Sequence, residues 1–196
     1  MRQCGRWTIV AAAVMFAGSA AAYVNYEYFE GTWDVVPDFH AMTPVQTGLV
    51  VGFDIGHRDQ EESFGFLFQA YIDIPEDGEY IFYTTSDDGS KLYINGALVV
   101  NNDGTHGAEQ RGGNIALVQG SSLIEVMFFE KTGDNVLYVL YEGPGIDKQV
   151  IPDHVLHPVH PVRPPDFLAV AMQEIHGDLQ HVRAPLRQVL YQTHFR

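Results

Sequence analysis

Residues 64–74, "FGFLFQAYIDI", carry an apolar side chain at every second position. Phe64, Phe66, Phe68, Ala70, Ile72 and Ile74 share one face, while Gly65, Gln69 and Asp73 share the other with Leu67 and Tyr71. A period of two belongs to extended chain, whose successive Cβ atoms point to opposite sides. A strand with so unbroken an apolar face must be covered by a second layer.

The same grammar repeats along the chain. "PEDGEY" (75–80) is turn chemistry and "YIFYTT" (80–85) is rich in β-formers. "KLYINGALVV" (91–100) sets Asn-Gly between two apolar runs, a strong hairpin signal. "NIALV" (114–118), "SLIEVMFFE" (122–130) and "VLYVLYE" (136–142) follow, separated by "QGS" and "KTGDN". Short strands at this spacing, without a good amphipathic helix among them, predict an all-β, antiparallel sandwich or barrel. The stretch 31–62 is less regular, and "DIGHRDQEES" within it reads as a long polar loop.

The two ends read differently. "MRQCGRWTIVAAAVMFAGSAAAYV" orders Arg2 and Arg6, an apolar run from Ile9 to Ala17, and the small residues "GSAAA". That is the order of a secretory signal peptide over 1–22, with cleavage after Ala22. The expected location is secreted, periplasmic or cell-surface, and neither this run nor a later one is long enough to span a bilayer comfortably. Cys4 leaves with the signal, so the exported chain folds in an oxidising place without a disulfide. The predicted domain covers 23–156. "HPVHPVRPP" (157–165) follows as a stiff linker, then a loosely attached helical or disordered tail over 166–196. In that tail Phe167, Leu168, Ala171, Ile175, Leu179 and Val182 recur near helical spacing, with Gly177 as an interruption.

A net charge of −14 argues against nucleic acid as a partner, since phosphate binding needs clustered Lys and Arg. It suits a solvated surface or a bound cation. There is no G-x-S-x-G, H-E-x-x-H, phosphate-binding glycine loop or cysteine nucleophile, so an enzyme is the weaker class. His154, His157 and His160 are regularly spaced but lie among prolines, which favours exposed loop over metal site. The chemistry concentrates in "YTTSDDGSKLYING" (83–96), where Asp87 and Asp88 are adjacent. Two readings stand: an ordinary turn, or a chelate for a hard cation such as Ca²⁺, which takes six to eight oxygens. Neighbours in extended chain point apart, so a chelate needs a bend, which a cis peptide bond between them would provide. Gly89 would permit an unusual dihedral next.

"GTWDVVPDF", "DGEYIFYTTSDDGSKLYINGALVVNNDGTHG", "FFEK" and "YEGPG…IP" together resemble the domain family named after the anthrax protective antigen. The resemblance spans about Tyr26 to Leu156 and implies a jelly-roll-like β-sandwich. In the family's adhesin branch an Asp–Asp pair joined by a cis peptide holds Ca²⁺, and the ion meets sugar hydroxyls. Carried over, this implies Asp87, Asp88, Asp134 and Asn135 as metal ligands. Glu130, Lys131, Asp134 and Asn135 of "EKTGDN" would join the Asp pair in binding a mono- or oligosaccharide. That second loop has no aromatic residue, unlike the usual pattern of the adhesin branch. Trp33, Tyr83 and Tyr93 are candidate stacking platforms, with Trp33 read as packing, and Asp103 and His106 as structural. The expectation is a secreted, calcium-anchored carbohydrate-binding module without catalytic residues. The alternative is a calcium-free interaction or accessory module of a larger glycan-processing or adhesion system. The exported form is expected to begin at Tyr23, which the intact mass of secreted protein checks; retention of Met1 would overturn it.

Overall fold

The computed structural model describes residues 23–159. The expected signal peptide (1–22), the expected linker from His160 onward and the expected tail (166–196) lie outside the described residues. Eleven strands make up the fold: β1 (Tyr23–Glu30), β2 (Gln46–Val51), β3 (Phe64–Ile74), β4 (Gly78–Asp87), β5 (Ser90–Ile94), β6 (Ala97–Asn102), β7 (Glu109–Leu117), β8 (Gly120–Glu130), β9 (Val136–Gly143), β10 (Ile146–Val150) and β11 (Leu156–Pro158). They form two antiparallel sheets. The larger runs β2-β1-β3-β8-β5-β6 and the smaller β10-β9-β4-β7. β3 is shared lengthwise: β1 pairs with it from Phe64 to Gln69, and β11 takes over from Ala70 to Ile72.

The even-numbered face of β3 does what its period demands. Phe64, Phe66, Phe68, Ala70, Ile72 and Ile74 all enter the main core between the sheets, with Tyr80 and Phe82 of β4 and Val126 and Phe128 of β8. Phe66 and Phe68 stack at 5.1 Å, and Phe64 meets Phe66 edge-on at 5.9 Å. Burial of each such ring contributes roughly 1.5–3 kcal/mol. The other face is not left to water. Leu67 joins Phe29, Val36, Phe39, Met127 and Phe129 in a second, smaller core roofed by the chain between β1 and β2. Phe39 stacks on Phe29 at 4.6 Å and takes the edge of Trp33 at 5.6 Å. A Cβ on Gly65 would lie 2.5 Å from the Phe39 ring, so the glycine is what lets this roof close down. Trp33 is packing, as the sequence suggests.

Three features differ from the sequence reading. β2 lies inside the stretch read as irregular, because Gly48 breaks the alternation; the Tyr26 ring covers the space a side chain there would need. β10, "IDKQV", is a polar edge strand that shows no apolar pattern. The sandwich also runs into the expected linker: His157 and Pro158 are in β11, His157 bonds Asp73 at 2.7 Å, and the Val159 N–H donates to Asn25.

The sandwich is closed along one side and open along the other. β6 and β7 press together so tightly that a Cβ on Gly113 would sit 1.8 Å from the Val99 carbonyl oxygen. On the opposite side, the Val51–Ile55 segment and β9 leave a groove. Since Leu156 is fully buried in the main core, Leu156→Ala is expected to cost about 2–5 kcal/mol in urea denaturation. A chain ended after Val159 should keep a cooperative melt, whereas one ended after Val150 should not.

Candidate metal and ligand site

The chain passes from the smaller sheet to the larger one at Asp87, the last residue of β4, and through Asp88 and Gly89 into β5. Their position is fixed from several directions. The Phe129 N–H donates to the Gly89 carbonyl at 2.9 Å. A Cβ on Gly89 would lie 2.5 Å from the Phe129 ring and within 2.9 Å of the Gly104 backbone, so no larger residue fits the crossing. The Asp87–Asp88 peptide bond is cis. Both carboxylates are buried, and Glu130 at the end of β8 is buried with them. Each of the three offers an oxygen, and these oxygens lie within 4.8 Å of one another.

Asp88 is held by backbone donors from two loops. Its Oδ1 accepts the His106 N–H at 2.9 Å, and its Oδ2 accepts the N–H groups of Lys131 at 2.9 Å and Thr132 at 3.4 Å. Asp87 lies between the same loops, near the Cβ positions of Gly107 and Gly133. Glu130 is different. It is 0 % exposed, and neither carboxylate oxygen has a hydrogen-bond partner. Burial, then the charges of Asp88 and Asp87, push its pKa up to about 8, and the nearby Asp88 N–H offsets only part of this without reaching hydrogen-bond geometry. Asp87 is raised for the same reasons, desolvation first and Asp88 next.

Beneath the carboxylates the interior of the sandwich turns polar. Ser90 bonds Ser86 at 2.7 Å and Thr84 at 2.9 Å, and Asn102 Nδ2 donates to Ser86 at 3.0 Å and to the Glu109 carbonyl at 3.0 Å. The network ties β4 to β5 and β6, one sheet to the other. The neighbouring loop is braced by His106, whose ring nitrogens face the carbonyls of Gly107 at 3.0 Å and Asn102 at 3.1 Å. Burial works against its protonation, yet these carbonyls, with Glu109 and Asp88, hold its pKa above the ordinary value. Asp103 is structural too. Its Oδ1 accepts the Val36 and Gly104 N–H groups, and its Oδ2 pairs with Lys91 at 2.7 Å.

The other expected site residues fall at different depths. Asp134 is exposed on the loop, near enough to Asp87 to raise its pKa but outside the carboxylate cluster. Asn135 donates to Glu61 at 3.1 Å, while its Oδ1 is buried without a partner. The Lys131 side chain turns away to pair with Asp34 at 2.7 Å, and only its backbone serves the cluster. Sequence reasoning missed Glu61, Glu62 (whose charge acts on Glu130), Thr132 and the buried Ser–Asn network. For Glu61 and Glu62 the one signal was the acidic run "DQEES", read as a polar loop.

The donor set is all oxygen. Ligands at the 2.3–2.6 Å distance of calcium can lie up to about 5 Å apart across one ion, so the cluster's spacing fits. Glu130, uncompensated by any hydrogen bond, is the group most in need of a cation.

The PA14 domain model matches residues 18–144, most of the described chain. The chain belongs to the PA14 domain family. No curated protein matches it. Solved structures similar to this PA14 domain include an anti-sigma factor domain-containing protein from Clostridium clariflavum, at 22% identity and TM-score 0.58 over 70% of this chain and 48% of that one. The PA14 sugar-binding domain from an RTX adhesin aligns at 18% identity and TM-score 0.59, over 70% of this chain and 99% of that one. The epithelial adhesin 9 A domain from Candida glabrata, solved with Galb1-4GlcNAc, aligns at 10% and TM-score 0.52, over 69% and 90%. The chain thus spans about half the length of the anti-sigma factor domain-containing protein. These likenesses establish the sandwich; the site rests on its own geometry.

Because the folded state keeps a proton on Glu130 that the unfolded state has released, the Glu130 contribution to stability without metal is full below about pH 4.5 and is lost as pH climbs to about 8. The loss is on the order of several kcal/mol, and Asp87 acts in the same direction. Glu130→Gln should flatten this slope and raise stability at pH 8 in chelator. Urea midpoints from pH 5 to 9 check it, and a wild-type midpoint that rises with pH would be the contrary result.

Proposed function

We propose that this PA14 domain is an exported carbohydrate-recognition module whose site is anchored by Ca²⁺ on Asp87, Asp88 and Glu130. One observation carries the reading: Glu130 lies fully buried beside two aspartates with both oxygens unpartnered. A carboxylate in that position either keeps a proton or meets a cation. When bound, the ion supplies neutralisation of the cluster and open coordination for sugar hydroxyls. Asp134 and Asn135, on the loop that follows Glu130, are the further oxygen donors proposed for that role.

What the chain's own residues do is hold this arrangement. The His106, Lys131 and Thr132 N–H groups orient Asp88, and the Ser86–Ser90–Asn102 network keeps the crossing between sheets rigid. The fold is shared with a domain described as sugar-binding and with an adhesin solved on a disaccharide, which supports glycan as the ligand class. Recognition suits the geometry better than turnover. The carboxylates are buried together on one side, and Asp88 is tied up by backbone donors, an arrangement unlike two groups flanking a scissile bond. The partner is a glycan met outside the cell, consistent with the expected signal peptide. The activity of any longer protein containing this domain is part of the proposal.

Calcium titration followed by thermal melting tests the reading. At one hundred times Kd, calcium should stabilise the domain by about 2.7 kcal/mol. Replacing Asp87 and Asp88 together by Asn should remove that gain and any glycan-array signal. Glu130→Gln, which leaves the Asp88 hydrogen bonds untouched, should weaken calcium binding at least tenfold. A wild-type melt and glycan signal indifferent to both calcium and chelator would leave the calcium-free interaction module as the better account.

A further inference from the structure

A groove of about 360 Å³ opens on the unsealed side of the sandwich, between the Val51–Ile55 segment, the first half of β9 and Val150–Asp153. This is within the range of roughly 300–1,000 Å³ seen for small-ligand sites. Asn135 and Val136 line one end of it, and Val136 stands opposite Asp87 where β9 pairs with β4, so this end of the groove adjoins the strand that carries the carboxylate cluster. We propose that the groove is an extension subsite, which takes a second, uncharged sugar unit of a glycan whose first unit engages the carboxylate cluster. This rests on the carbohydrate-recognition reading above.

The lining has the two kinds of surface that a pyranose ring presents. Tyr138 is 58 % exposed and, with Val136 and Val150, offers an apolar wall for the C–H face of a sugar. Asp54 and Asp153 supply carboxylate acceptors for hydroxyl groups. The missing aromatic of the 130–135 loop thereby has a counterpart on β9. A second cavity, on the outer face of the larger sheet beside Tyr93, is a contrast. Among its charged groups, His40 pairs with Glu125 at 3.1 Å and Lys91 with Asp103 at 2.7 Å.

Charge excludes one class of glycan. Among the described residues the basic side chains are Arg58, Lys91, Arg111, Lys131 and Lys148. Four of them are in ion pairs, with Glu61, Asp103, Glu109 and Asp34 respectively for the first four. Lys148 sits 3.6 Å over the Tyr83 ring and donates to Gln110. None of them lines the groove, whereas two carboxylates do. A uronic-acid chain therefore meets only repulsion there.

Calorimetric titration with calcium present tests the proposal, using β1-4-linked N-acetylglucosamine, β1-4-linked glucose and galactose-terminated oligosaccharides of one to four units, with oligogalacturonates as the anionic series. For the neutral sugar that binds, the disaccharide should bind at least tenfold more tightly than the monosaccharide, and the oligogalacturonates should show no gain with length. Tyr138→Ala and Asp153→Asn should each remove most of the length-dependent gain while leaving monosaccharide affinity and the calcium midpoint unchanged. Equal affinity for one and two units, or a gain that survives Tyr138→Ala, overturns the extension subsite and leaves the primary site standing. Calcium binding with no sugar bound at any length overturns the carbohydrate reading and the subsite together.

Discussion

Three carboxylates share one buried place in this domain, and much of the surrounding structure exists to hold them there. Like charges at this spacing repel, and burial removes the water that would screen them. The chain counters this unevenly. Asp88 receives backbone N–H groups from two loops, Asp87 a little less help, and Glu130 no hydrogen bond at all. The unevenness defines the site: one carboxylate is oriented, and another is left wanting a partner.

The same place is where the sheets join. Asp87, Asp88 and Gly89 carry the chain from the smaller sheet to the larger, and the Ser86, Ser90, Thr84 and Asn102 side chains cross-link the sheets just beneath. The polar site is therefore not an ornament on flexible loops. It grows out of the core, in the region where apolar packing gives way to hydrogen bonds, and its geometry is coupled to the distance between the two layers.

Most of the sandwich was legible in the sequence because its strands are amphipathic with a period of two. β3, β4 and β8 announce themselves by their rings and branched chains. β2 and β10 do not, since one is interrupted by Gly48 and the other is a polar edge whose partners, not its side chains, make it a strand. The Asp87–Asp88 pair stood out through the family resemblance, whereas the residues alone favoured an ordinary turn. Glu130 shows the limit of such reading. Sequence places it after "FF" and before a loop, as one oxygen donor among several, but its lack of any hydrogen bond is a property of the packed fold. Likewise Lys131 looks like a site cation in the sequence, and its pairing with Asp34, far away in the chain, is invisible there.

The seam between β6 and β7 has a bearing on the far side of the molecule. At Gly113 the backbone of one sheet lies against the Val99 carbonyl of the other, with no room for even a methyl group. Sheets are stiff compared with the side chains between them, so this contact acts as the spine of a book whose pages are the two layers. A residue with a side chain at position 113 would wedge the spine, and the covers would swing at their free margin, where the groove beside β9 lies. One glycine remote from every groove-lining residue thus holds the two layers in contact along their closed edge.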